Sequence, residues 1–319
     1  MPFEIQTVSN ALILPGNQAK FQFSDSIAFW TVGISSFNLT FGENTQHHIQ
    51  QISIALQSPS MSGSELTVTV EAILTDKHNR SIYVNPGDPN TSYVALTALA
   101  YTGSSTNSGM ALVSPVSWSL AKSPDSEATS YPGSGLSGQI YASQVGLAGF
   151  DVACPPGQDN QVNTVSASVG INWTTDSQIE FSGAANLSPG QLYTSTVAAG
   201  ALVSATTDPN AFAFSSVVAT ETTNQQTIPM QNALGKPLTR ALNPNQIGAM
   251  LTGFTLNYPS GSDHYVSRIG AGPTSVTVDP NNNKQVVANE IMAWMNDTSC
   301  NVQDWVNSSC SIVVFGLAK

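Results

Sequence analysis

A 16-residue pattern occurs three times without a gap, at Phe37 to Ile52, Phe150 to Val165 and Phe254 to Ile269. The copies read FNLTFGENTQHHIQQI, FDVACPPGQDNQVNTV and FTLNYPSGSDHYVSRI. In each, Phe is followed two residues on by Leu or Val and two further by another apolar position. That period of two places all three on one face of a β-strand. Polar, Gly or Pro residues follow. The pattern resumes with Ile49 and Ile52, Val162 and Val165, and Val266 and Ile269, which reads as a turn into a second strand. Small or aliphatic residues lead into every copy: Val32-Gly33-Ile34, Val145-Gly146-Leu147 and Ala249-Met250-Leu251. One unit repeated at spacings of 113 and 104 residues predicts three related modules, each large enough to bury a core of its own. A single sandwich with Greek-key pseudosymmetry is the plainer alternative.

The repeat extends outward. LTVTVEAIL (Leu66 to Leu74), the turn TDKHNR and SYVALTALA (Ser92 to Ala100) close the first module; QVVANEIMAWM (Gln285 to Met295), NDTSC and SIVVFGLA (Ser311 to Ala318) close the last. The middle module has IEFSGAANL and STVAAGALV in the same roles. These place the modules at 1–102, 103–204 and 205–319. Helical periodicity is almost absent, whereas Asx-Pro-Asn corners recur at Asp88, Asp208, Asn243 and Asp279. The fold class expected is all-β, as tandem antiparallel β-sandwich modules.

Composition narrows the partners. Charged residues make up only 9%, against roughly 25% in ordinary soluble domains. Surfaces should therefore be polar but mostly uncharged. A net charge of −11 with nine Lys and Arg opposes phosphate backbones, so no nucleic-acid partner is expected. No apolar run is long enough to span a bilayer, and the start MPFEIQTVSNALILPG lacks the basic and long apolar regions of a signal peptide. The sequence therefore predicts no membrane insertion.

Few residues carry recognisable chemistry. His47 and His264 occupy equivalent positions in the repeat turn, with His48 beside the first. Only Asp263 is adjacent, and no HxH or HExxH spacing occurs, so no metal site is expected. A turn residue bonding the backbone is the plain reading of both histidines, and ligand contact is the functional one. Asp76, in a turn after a strong strand, has its counterpart in Asn296-Asp297-Thr298; carboxylate and amide there suit sugar hydroxyls, which both donate and accept. Glu71 and Glu290 read as outward strand residues with no second carboxylate fixed nearby, which gives no basis for a glycosidase. Trp30 and Trp294 lie in apolar strand patterns and read as core, whereas Trp305 sits in a polar loop beside Asp304 and Asn307 as a candidate stacking aromatic. Cys300 and Cys310 flank CNVQDWVNSSC, a spacing that fits a disulfide, and Cys154 reads as a buried thiol. No catalytic constellation and no cofactor fingerprint occur.

VGISSFNLTF with the later SYVALTALA, and LTGFTLNY with AWMNDT and SIVVFGLA, resemble the H-type lectin domain over about 70 residues of the first and last modules. Trp294, Asn296, Asp297 and Thr298 match that family's Trp-x-Asp-Thr segment with one residue inserted, Asp76 holds the corresponding place in the first module, and Thr97 and Phe315 stand where the family closes with Trp. The resemblance implies six-stranded antiparallel sandwiches, threefold grouping and binding of N-acetylgalactosamine or related sugars, and three modules in one chain would then imitate a trimer. The leading expectation is a non-enzymatic carbohydrate-binding or adhesion protein, its ligand residues drawn from His47, Asp76, His264, Asn296, Asp297 and Trp305. Alternatives are a structural subunit of an extracellular or virus-like assembly, with self-association into a homo-oligomer, and a toxin component recognising a host surface.

Overall fold

The computed structural model describes residues 3–8, 14–42, 47–78, 80–88, 90–102, 110–120, 125–130, 140, 142–157, 162–175, 178–188, 192, 194–204, 212–219, 223–258, 265–296 and 307–319. Every regular element among them is a β-strand. Residues 1–102 hold β1 (Phe3–Thr7), β2 (Gln18–Gln22), β3 (Phe29–Thr40), β4 (Gln51–Ser62), β5 (Glu65–Thr75) and β6 (Tyr93–Tyr101). Residues 103–204 hold β7 (Met110–Ser119), β8 (Asp125–Ser130), β9 (Ala142–Ala153), β10 (Thr164–Thr175), β11 (Gln178–Ser188) and β12 (Thr194–Ser204). Residues 205–319 hold β13 (Phe212–Ala219), β14 (Thr223–Pro229), β15 (Gln231–Asn232), β16 (Leu242–Asn257), β17 (Arg268–Val278), β18 (Gln285–Asn296) and β19 (Ser309–Ala318). The all-β expectation holds, with antiparallel pairing throughout.

The strands form sheets of six, seven and six, in the orders β1-β6-β3-β17-β18-β14, β15-β13-β19-β16-β10-β11-β8 and β2-β5-β4-β9-β12-β7. No sheet belongs to one segment. Each joins an inner half from one segment to an outer half from another, and the joins run in a ring: β4 to β9, β10 to β16, and β17 back to β3. The two strands of the 16-residue repeat therefore lie in different sheets instead of pairing with each other.

The repeat is the seam of the ring. Its first residue pairs with the eighteenth residue counted from the neighbouring copy's start: Phe37 with Ala271, Phe150 with Ile54, and Phe254 with Ala167. Beyond the strands, three equivalent backbone bonds continue the seams, from Phe41 N to Ser267 O (3.0 Å), Cys154 N to Gln50 O (2.8 Å) and Tyr258 N to Asn163 O (2.8 Å). Each seam ends where a strand comes too close for a side chain: a Cβ on Gly149 would stand 2.8 Å from Ile54 O, and one on Gly272 2.4 Å from Ser35 O.

Two residues before each repeat Phe the strand carries one extra residue, so Ser35, Ala148 and Thr252 form three equivalent β-bulges. The bulge turns the strand so that Phe37, Phe150 and Phe254 meet. Their ring centroids lie 5.7, 5.2 and 5.2 Å apart, edge-on or tilted, around a pseudo-threefold axis. One contiguous apolar cluster runs through all three segments, so the expected separate cores are not what the chain builds. A second cluster, including Ile5, Leu99, Leu112, Leu202, Met250 and Phe315, fills the space between the inner halves. Both faces of β6 are covered for this reason: Leu96 and Ala98 enter the first cluster, Leu99 and Tyr101 the second.

Candidate functional site

His47 and Asp76 form a buried pair. His47 lies in the repeat turn, where its backbone O accepts from Val266 N (2.8 Å) and its ring stacks on Phe41 at 4.1 Å between centroids. Asp76 follows β5, and its Oδ1 accepts the backbone N–H groups of His78 and Arg80, both at 2.9 Å, which shapes the turn. Asp76 Oδ2 lies 2.8 Å from His47 Nδ1. Their residues are only 2% and 3% exposed. Gln50, its amide oriented by its partners, donates to Asp76 O (3.0 Å) and accepts from Gly157 N (3.2 Å), so the pair sits where all three segments touch.

The electrostatics follow from these bonds. Burial pushes the Asp76 carboxyl up, but hydrogen bonds from His47 and from the Arg80 and His78 backbone outweigh it and hold the group below its usual value. A carboxylate beside an imidazole can orient a base, yet His47 Nε2 is buried without a hydrogen-bond partner among the described residues and Phe41 covers the ring. Such a pair cannot reach a ligand from solvent. It clamps the turn after β5 to the repeat turn. Asp76→Asn should cost about 2 kcal/mol at pH 7, the scale of leaving a buried group badly paired. Because the folded carboxyl titrates below its unfolded value near 3.9, its contribution is present above about pH 4 and is lost as pH falls through the folded value. Urea unfolding at pH 7 and pH 3 should show the gap between parent and variant closing in acid. An equal gap at both would refute the assignment.

The remaining expected site residues divide. Asn296 ends β18, half-buried, with its backbone O accepting from Ser267 N (2.8 Å) and Oγ (3.0 Å). His264, Asp297, Trp305 and Cys300 lie outside the described residues. The expected Cys300–Cys310 bridge has its first half outside the described residues, and Cys310 is described as a free thiol. It lies within β19 between Ala219 and Phe254, fully buried, where burial raises the thiol to about 12. Cys154 is the buried thiol expected.

Sequence reasoning missed Arg268. It opens β17 at the seam with β3, its Nε bonds Asn38 Oδ1, and its guanidinium lies 4.5 Å from the Trp294 ring centroid. Burial lowers its pKa from the ordinary guanidinium value. Trp294, expected in the core, instead lies half-buried on the outer face of its sheet, across Gly270. The signal was present, because Arg268 is the fifteenth residue of its repeat, where the other copies carry Gln51 and Thr164. Gln51 makes the matching bond, Nε2 to Asp151 Oδ1 at 2.8 Å.

Among the described residues, no group of three or more His, Cys, Asp or Glu could hold a metal ion, and no helix is long and apolar enough to cross a membrane. No family model matches the chain, and no curated protein matches it. Among solved structures, the infectious bursal disease virus VP2 subviral particle is similar at 9% identity, over 99% of this chain and 80% of that one, with a TM-score of 0.14. That score is too low for the likeness to bear on fold or role.

Proposed function

We propose that the protein is a non-enzymatic structural subunit of an extracellular or virus-like assembly, built from three repeats over 1–102, 103–204 and 205–319. The observation that supports this reading best is the closed ring of half-sheet exchanges. It gives one chain the outline that three copies of a single module would have, so the chain can fill a threefold position with three different outer faces. Each seam is a run of paired strand residues, which favours a rigid body over a hinged string. Its low charge content leaves few charged groups to desolvate where copies meet.

Carbohydrate binding is the second reading. Asp76 and His47 lend it nothing, because the carboxylate oxygens are taken up by His47 and the turn backbone. Sedimentation velocity over rising concentration, with negative-stain microscopy of the heavy fractions, tests the choice. Regular particles together with a silent glycan array are expected. A monomer at every concentration that binds a glycan would overturn the proposal.

A further inference from the structure

The three sheets end in six edges, and the pseudo-threefold relation sorts them into two sets: β1, β7 and β13 close the inner halves, and β2, β8 and β14 close the outer ones. An edge offers unpaired N–H and C=O groups to any other strand, and proteins blunt it with charge, proline or a covering side chain. Five of the six carry such a device. β1 holds Glu4, and its Ile5 N is taken by Gln246 Oε1 at 2.6 Å. Within β7 stands Pro115, which has no N–H to give, and Ser114 Oγ donates to Trp30 O of β3 (3.3 Å). β2 holds Lys20, paired with Glu65 at 3.5 Å; β8 holds Asp125 and Glu127, and β14 ends in Pro229.

The sixth edge is bare. β13 pairs with β19 along its whole length, from Phe212 with Leu317 to Ala219 with Cys310. On its other side β15 covers only Ala213 and Phe214, and among the described residues no strand continues past them. Ser215 to Ala219 runs SSVVA, with no charge and no proline, and the nearest charged residue in the sequence, Glu221, follows the strand. Ser216 and Val218 are exposed, and Val218, at 62%, is the most exposed large apolar side chain among the described residues. Valine favours extended backbone, and β19 already holds the segment in that form.

We infer that this edge is a strand-addition surface whose occupant is the same edge of a second copy, paired antiparallel about a two-fold axis through Val217. Such pairing is self-complementary: Val217 meets its own counterpart, Ser216 stands opposite Val218, and Ser215 opposite Ala219. Opposed residues share a face, so each exposed valine is covered by the neighbouring strand. Charge selects the occupant. Two copies of a chain with net charge −11 repel, and edges holding Glu4, or Asp125 and Glu127, would bring further like charges together, whereas SSVVA brings none. β15 shows that this edge accepts an added strand, and the second copy continues where β15 stops. A pair of such short segments buries less than the roughly 1,200 Å² of a standard interface, so the contact is weak alone and gains strength by repetition. The inference deepens the assembly reading and rests on it for the choice of a second copy.

The test is sedimentation velocity of the intact chain from micromolar to millimolar concentration, with hydrogen exchange followed by mass spectrometry over residues 212–219. A mean mass rising toward that of a dimer, with exchange in that segment slowing in step, is the expected result. Val218→Lys should weaken the association at least tenfold. Adding Ser216→Lys sets lysines of the two copies directly opposite one another, and association should then vanish. Both sites are exposed, so each variant should keep the parent's thermal transition, and Val84→Lys, the same charge change at an exposed valine elsewhere, should associate like the parent. A parent that stays monomeric throughout, or a double variant that associates like the parent, would overturn the inference. Regular particles that persist in the double variant would sink the edge and leave the assembly reading standing. A dimer that the double variant loses, but that never builds particles, supports the edge and counts against assembly.

Discussion

Phe254→Ala is expected to lower the stability of the whole chain by about 3–5 kcal/mol, with all three segments still unfolding in a single step. Phe254 is 3% exposed, and its ring lies 5.2 Å from both Phe37 and Phe150. Removing it deletes two aromatic contacts and leaves a void on the axis, where the three seams constrain collapse from every side. The cooperativity follows from the exchanged half-sheets. Residues 205–319 cannot open without stripping β17 from β3 and β16 from β10, so loss in one segment uncovers both others. Tryptophans at 30, 118 and 294 lie in different segments and can report this when each is kept alone by Trp→Phe replacement. Coincident urea transitions, all displaced by Phe254→Ala, are the expected result. A transition that moves only for the reporter at 294 would mean that the segments unfold independently and that the ring is not a cooperative unit.

Much of this ring was written into the sequence as period and repeat. The alternation in Phe37-Leu39, Phe150-Val152 and Phe254-Leu256 marks strands whose inward residues are buried, and the closing patterns mark β6 and β19. What the period cannot carry is the partner of a strand. A repeat Phe pairs with a residue 87 or more positions away in every seam, and nothing in Ile54 or Ala167 names its opposite strand. Reading the strands flanking a turn as neighbours fails for the same reason: β3 and β4 part into different sheets because the bulges at Ser35, Ala148 and Thr252 redirect the inner strands toward the axis. The site was less legible than the fold. Asp76 reads in sequence as a turn carboxylate suited to sugar hydroxyls, and only the tertiary placement of His47 turns it inward. Arg268 and Asn38 are 230 positions apart, so their bond was visible only as an odd residue at one repeat position.

Met250→Gly should cost about 3–5 kcal/mol, and adding Gly146→Met should recover most of it. The two residues, with Gly33, hold the same place four positions before the repeat Phe, so the axis layer consists of one methionine and two glycines. Met250 is 1% exposed, and its side chain occupies the space of all three. A Cβ on Gly146 would meet Met250 Sδ at 2.5 Å, its Cβ at 3.0 Å and its Cγ at 3.3 Å, so its three nearest neighbours all belong to the methionine. Gly33 is less permissive, because a Cβ there would also stand 3.3 Å from Leu147 O, which is backbone and cannot swing aside. Removing the methionine leaves a buried void and adds backbone freedom to the unfolded chain. Gly146→Met alone puts two thioether chains into room for one, an overpacking cost of about 1–3 kcal/mol. The double variant moves one side chain by a third of a turn about the pseudo-axis, and the two losses should then cancel in large part. A double-mutant cycle from urea denaturation reads this directly as a coupling of opposite sign to the single costs. Simple additivity would mean that the three positions do not share one space, and that the threefold relation is a matter of strand pairing alone.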